Sequence, residues 1–257
     1  MNGVHELGIA ATKLRPPTSP ARLVRRSRLA DLLSDGMTKS VPLLLVSAPA
    51  GSGKSTLIAS WALELERPVA WLQVESADSD PASFWSSLVA AIGRCRPDVA
   101  SGVGPLVTGS QGDGRVVVPA IINGLIDVKD PLVIVIDDYH LIDSDSVHRG
   151  VERLIDLCPE QLTIVVSTRV DPPFRLGRMR VGNRLWEIRA EQLRFAIDEA
   201  TFCSERPATT SPQSTSPTCA PRLKVGLRDS FWPGSAWNAH PTQAASSMRS
   251  AVTTSSS

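Results

Sequence analysis

The stretch LLLVSAPAGSGKSTL, Leu43 to Leu57, decides the fold. Its first part, Leu43 to Val46, is apolar throughout, as suits a short strand buried on both faces. Its last part opens a segment, Thr56 to Leu65, that is apolar on one side at helical spacing. Between them lies A-P-A-G-S-G-K-S, Ala48 to Ser55. A strand feeding a Gly-rich loop that opens a helix aims successive backbone N–H groups, and the positive end of the helix dipole, at one point. An anion, above all a phosphate, belongs there. Gly51 and Gly53 allow backbone conformations and close approaches that a side chain would block.

The spacing is that of a P-loop, with Ala48 standing where the commonest pattern has Gly. The loop and helix start, Pro49, Ala50, Gly51, Ser52, Gly53, Lys54, Ser55 and Thr56, are the expected nucleotide-binding residues, with ATP or ADP as the ligand. Lys54 is placed to reach the β- and γ-phosphates, and the Ser55 hydroxyl to ligate Mg2+, a hard cation that prefers oxygen.

A second signal is VIVIDD, Val133 to Asp138. A buried strand ending in two acids puts a carboxylate at the carboxyl edge of a parallel sheet, and beside the P-loop if the two strands are neighbours. Asp137 is then the metal ligand, directly or through water, and Asp138 the acid that orients or activates an attacking water. Taken alone, the same string is a strand entering a turn. The third signal is TIVVSTR, Thr163 to Arg169. If this strand adjoins the first, Ser167, Thr168 and Arg169 face the γ-phosphate, where Arg169 can sense or stabilise its charge. The alternative is a solvated Arg at a strand end.

Apolar runs at Val69 to Val74, Leu132 to Ile136 and Leu162 to Val166, and a weaker one at Leu185 to Ile188, alternate with helical segments at Pro81 to Ile92 and Val147 to Leu157. That alternation predicts an α/β fold, a parallel sheet with helices on both faces. The Gly-rich stretch from Ser101 to Gly114 reads as a surface connection. Three segments follow: 1–39, an extended, Pro-containing lead-in and a short helix from about Arg26; 40–200, the nucleotide-binding domain; and 201–257, a tail rich in Ser, Thr and Pro that is expected to be disordered, with Phe231, Trp232 and Trp237 able to dock loosely.

The chain has 257 residues, 42% of them hydrophobic, and its 27 basic side chains nearly balance its 26 acidic ones, for a formal charge of +1. No long-range field draws it to nucleic acid or an anionic membrane. Cys95, Cys158, Cys203 and Cys219 form no C-x-x-C pair, and no stretch approaches the ~18 apolar residues of a membrane span. A reducing cytoplasm is the expected compartment. His140 and His148, with Asp143 and Asp145, fit no standard metal-ligand spacing, and a surface loop accounts for them. The arginines Arg22, Arg25, Arg26 and Arg28, and those from Arg175 to Arg194, are expected mostly on solvated faces.

Together, the strings TKLRPP at Thr12, LVRRSRL at Leu23, LLLVSAPAGSGKSTL at Leu43, PVAWL at Pro68, DSDPASFW at Asp78, VIVIDDYHLI at Val133, STRVDPP at Ser167 and LWEIRAEQLRF at Leu185 resemble the MalT-like ATPase domains of large LuxR-family transcriptional activators, in the STAND class of signalling NTPases. The resemblance spans about Thr12 to Ala200. It implies an ASCE/AAA-like P-loop NTPase that holds ADP at rest, exchanges it for ATP on induction, self-associates through the NTPase domain and hydrolyses ATP slowly. By position it makes Lys54 and Ser55 the phosphate and magnesium residues, Asp137 and Asp138 the acidic pair, Arg169 the sensor, and Arg26 an Arg near the nucleotide. Family members continue into winged-helix, repeat and helix-turn-helix parts. No recognition-helix pattern follows Ala200, so direct DNA binding by this chain is not expected, and the abrupt change suggests truncation or a frameshift there. A stand-alone small ATPase, a metabolite kinase, or an inert product that only binds nucleotide are the alternatives.

Overall fold

The computed structural model describes residues 8–18, 26–126 and 130–194. Five strands, β1 (Leu43–Ser47), β2 (Val69–Gln73), β3 (Leu132–Asp137), β4 (Leu162–Thr168) and β5 (Leu185–Arg189), form one sheet in the order β2-β3-β4-β1-β5. Every pairing is parallel. The described helices are α1 (Ser27–Thr38), α2 (Lys54–Glu64), α3 (Pro81–Gly93), α4 (Pro97–Gly109), α5 (Gly114–Ile126), α6 (Asp145–Asp156) and α7 (Leu176–Val181), with short 3-10 turns at Ala11–Leu14, Ser76–Ser79 and Tyr139–Leu141.

Strand alternation sorts the sheet residues onto two cores. Leu43 and Leu45, Ile134 and Ile136, Ile164 and Val166 pack with α3, α4, α5 and α6 on one face. Leu44 and Val46, Val133 and Val135, and Val165 pack with Leu29 and Leu33 of α1 and Leu57, Ile58 and Trp61 of α2 on the other. Helices therefore cover both faces, as the continuous apolar runs predict. All five predicted strands are present, including the weakest, which forms the edge strand β5 beside β1.

Three expectations are corrected. The strands bearing the P-loop and the paired acids are not neighbours, because β4 pairs with both β1 and β3 and lies between them. The stretch from Ser101 to Gly114 is not all surface connection: most of it is helix α4, followed by a turn over residues 110–113 and the first residue of α5. Val99, Val103 and Val107, spaced by four, bury one stripe of α4. The small residues let neighbours close in, since a Cβ on Gly124 would come within 3.1 Å of Val99 and one on Gly93 within 2.7 Å of Ala100. Burial of that stripe outweighs the poor helix propensity of Gly102, Gly104 and Pro105. The lead-in, read as extended, carries a 3-10 turn that buries Lys13 and Leu14. Arg22, Arg25, Cys203, Cys219 and the whole of 201–257, with Phe231, Trp232 and Trp237, lie outside the described residues.

Candidate nucleotide site

β1 delivers the chain to the carboxyl edge of the sheet, where the Ala48 N–H donates to the Thr168 carbonyl of β4 at 3.2 Å. The loop then turns through left-handed backbone at Gly51 (φ +77°) and Gly53 (φ +82°). A Cβ at either would meet no protein atom within 4 Å, so conformation and not packing demands glycine there. The Ser52 hydroxyl donates to the Pro49 carbonyl at 2.8 Å and closes the loop, and Pro49 and Ala50 are exposed on its rim. Helix α2 begins at Lys54 with Gly53 as N-cap, no side-chain cap and no acid in its first turn. Its leading amides, including those of Ser55 and Thr56, are thus left to an external acceptor.

Lys54 is 6% exposed, and its ammonium donates to the carbonyls of Ala48 (2.8 Å) and Pro49 (3.0 Å). Burial lowers its pKa; Asp138 and Asp137 pull it back up and Arg169 pushes it further down. The Ser55 hydroxyl donates to Asp137 Oδ1 at 3.0 Å, and the Asp138 N–H donates to the same oxygen at 3.0 Å. Asp137 is 1% exposed, and burial raises its pKa against the pull of Ser167 and Ser55. Ser167 is fully buried and lies close enough to stabilise the Asp137 carboxylate, although its hydroxyl makes no hydrogen bond of good geometry.

Register explains how the acid reaches the loop across an intervening strand. Val46 pairs with Ser167, and Ile136 with Val166, so Asp137, Ser167 and Val46 stand in one row. By alternation Asp137 shares the face of Val133 and Val135, which is the face covered by α2. The acids and Ser55 therefore converge even though their strands are separated. Oxygen from Ser55 and Asp137 is the donor chemistry that Mg2+ takes, so these residues fit that ion.

Asp138 adopts left-handed backbone (φ +57°, ψ +36°) and is half-buried. β4 adjoins β1 as the third signal supposed. Of its end residues, Thr168 closes on its own chain, donating to the Val170 carbonyl at 2.6 Å, while Arg169 is exposed and near enough for its charge to act on Lys54 and His140. The Arg26 guanidinium donates to the carbonyls of Leu193 (2.6 Å) and Arg194 (2.9 Å), and Arg28 donates to that of Gln192 (2.9 Å). The pair fastens the segment after β5 to the start of α1.

Other residues at this edge went unread in the sequence. Asp171 accepts from Ser47, the last residue of β1, at 3.1 Å, and from Arg189 of β5 at 3.2 Å. Arg189 also bonds Glu187, which Arg180 holds at 2.6 Å, and the Arg180 bond and Arg189 together draw Glu187 down to about 2. The signal was available, since Asp171 follows Arg169 by two residues and precedes Pro172–Pro173, a conformationally restricted stretch. Similarly, Lys13 of TKLRPP and Asp78 of DSDPASFW meet in a buried ion pair at 2.7 Å, with Asp78 also accepting from the Glu75 N–H at 2.8 Å. The later arginines lie mostly on exposed faces, as expected, and several are paired there: Arg175 with Glu152 and Arg184 with Asp156. The two histidines are not simple surface residues, for His148 Nδ1 lies 2.9 Å from the Tyr139 hydroxyl and the His140 side chain is only 10% exposed.

Residues 20–166 match the family of AAA ATPase domains. The chain is 37% identical over 194 residues to the serine/threonine-protein kinase PknK of Mycobacterium tuberculosis, covering 74% of this chain and 17% of that protein. It is 35% identical over 198 residues to the HTH-type transcriptional regulator MalT of Serratia proteamaculans, covering 74% and 21%. This chain therefore spans about a fifth of the length of the curated relatives it matches. Among solved structures, a Walker-type ATPase of Pyrococcus abyssi is similar at 13% identity over 75% of this chain and 60% of that one, with a TM-score of 0.48. The β1 loop and helix, the acidic end of β3 and the family match over more than half of the chain agree, and the chain belongs to the AAA ATPase domain family as a MalT-like member.

Proposed function

We propose that this chain is the ATP/ADP-binding switch domain of a MalT-like, LuxR-family transcriptional regulator of the STAND class, a slow Mg-dependent ATPase working in the cytoplasm. The observation that carries the proposal is the 3.0 Å bond from Ser55 to Asp137, which joins the P-loop helix to the acidic strand at the edge where Lys54 is buried. In this reading the loop amides from Ala50 to Thr56 and the Lys54 ammonium bind the β- and γ-phosphates. Ser55 and Asp137 would hold Mg2+, which when bound neutralises charge on those phosphates. Asp138 takes a proton from the attacking water, Arg169 faces the charge of the transferring phosphoryl group, and Arg26 acts near the nucleotide by fastening the end of the domain.

A switch, unlike a metabolic enzyme, retains its product. Mass spectrometry of the purified chain should find bound ADP, and steady-state turnover should fall far below the enzyme median of about 10 per second. Turnover at or above that rate would replace the switch by a stand-alone ATPase or metabolite kinase. Self-association through the nucleotide domain would show as an ATP-dependent rise in mass by light scattering. No helix among the described residues is long and apolar enough to cross a membrane.

A further inference from the structure

His140 is a polar side chain at this edge that the roles above leave unused. It sits in the 3-10 turn Tyr139–Leu141 directly after β3. Its side chain is nine-tenths buried, and neither ring nitrogen makes a hydrogen bond. A buried imidazole with both nitrogens unsatisfied is costly to the folded chain, and such groups mark places where a ligand or reactant completes the bonding. The groups around it are those of the nucleotide site: after burial, the charges that act on its ring are Arg169, Asp138, Lys54 and Asp137. Burial and the two cations lower its pKa, so the ring is neutral near pH 7 and offers one donor and one acceptor.

Geometry narrows what the ring can do. Its Nδ1 lies 3.9 Å from Asp138 Oδ1. That separation is too long for a direct hydrogen bond and suits a single small molecule bonded to both. We propose that His140 is a second catalytic residue of ATP hydrolysis, holding the attacking water together with Asp138. The inference rests on the ATPase reading of this site. The water donates one hydrogen to Asp138 and the other to the acceptor nitrogen of His140, which points its lone pair at the γ-phosphorus. The new P–O bond forms as the bond to the β,γ-bridging oxygen breaks. ADP leaves with that electron pair, the water proton passes to Asp138, and His140 undergoes no net change.

The test is single-turnover hydrolysis of Mg-ATP by the full chain and by His140→Ala and His140→Asn, with binding of a fluorescent ADP analogue measured in parallel. Hydrolysis should fall about 10- to 100-fold in both, as for a misplaced reactant, while ADP affinity stays within about twofold because the ring is not a phosphate ligand. His140→Gln, which keeps a donor and an acceptor on a flexible arm, should recover part of the rate. A folded His140→Ala or His140→Asn variant with wild-type turnover overturns the proposal, and Asn decides the matter should Ala fail to fold. Wild-type chain that binds ATP and never hydrolyses it also overturns it, leaving the binding role of the P-loop standing. Wild-type chain that binds no nucleotide removes both.

Discussion

Two lysines of this chain are buried to nearly the same degree, Lys13 at 8% exposure and Lys54 at 6%, and they are used in opposite ways. Lys13 meets Asp78 at 2.7 Å, and Asp78 is further satisfied by the Glu75 N–H and the hydroxyls of Ser83 and Ser87. That charge is neutralised inside the protein, and it ties the lead-in to the start of α3. Lys54 rests on two carbonyl dipoles, with no carboxylate bonded to it. Its counter-charge has to come from outside the chain. The partner acids differ in the same way, for Asp78 has a bound cation and Asp137 has hydroxyls and an amide but no bonded cation. A buried charge answered within the fold is structure; one answered only by dipoles is a binding site.

The largest expected effect breaks the structural half of that contrast. Lys13→Met strands the Asp78 carboxylate and should destabilise the domain by about 3–5 kcal/mol in denaturant unfolding, whereas adding Asp78→Leu should restore most of it. Nucleotide affinity of the folded fraction should not move. Should Lys13→Met weaken nucleotide binding as strongly as stability, the two lysines would not be separable in this way.

Lys54→Ala should do the reverse. Loss of a charge-assisted contact to phosphate predicts an affinity drop of about 100-fold, or about 2.7 kcal/mol, by calorimetry with ADP. Nucleotide-free stability should change by less than about 1 kcal/mol, because no bonded carboxylate is left behind.

A subtler effect concerns Asp137, whose folded-state pKa is raised chiefly by burial. A raised pKa means that the stability the group contributes is fully present below its unfolded value, near 4 as for any Asp, and is lost as pH rises through the folded value. Asp137→Asn, which cannot ionise, should therefore melt higher than wild type at pH 7 without nucleotide and match it at low pH, while Mg2+ no longer strengthens nucleotide binding. A variant that melts lower at pH 7 would mean that the carboxylate is a structural group like Asp78.

The smallest effect lies in the ion network beyond the P-loop. Glu187 is drawn from 4.5 to about 2 by Arg180 first and then Arg189, and its side chain is 20% exposed. With a depressed pKa, its stabilisation is present above about pH 4.5 and lost as pH falls through about 2. Glu187→Gln should cost about 1 kcal/mol at pH 7 after solvent screening, and the gap to wild type should close in acid. A gap independent of pH would point to lost packing instead.

How much could be read in advance varied with the range of the interaction involved. Helix α4 escaped because Gly102, Gly104, Gly109 and Pro105 argue for a loop, while the Val99, Val103 and Val107 stripe that overrides them matters only once α3 and α5 supply a surface to bury it against. Asp171 and Arg189 escaped because each belongs to a different string, and only the pairing of β5 with β1 brings them together. His140 was set aside as a loop residue because the string DDYHL carries no measure of burial.

The part legible in the residues alone is local. The strand, the glycine turn and the uncapped helix start follow one another within Leu43 to Leu57, and their conformations, positive φ at Gly51 and Gly53 and free amides at the head of α2, depend on neighbouring residues alone. Tertiary structure alone decided that β4 lies between β1 and β3, that Asp137 reaches Ser55 from 82 residues away, and that Lys13 finds Asp78 across 65. An apolar run states that a strand is buried on both faces. It does not name the neighbour, because every such run presents the same backbone donors and acceptors, and only the packing of the whole sheet chooses among them.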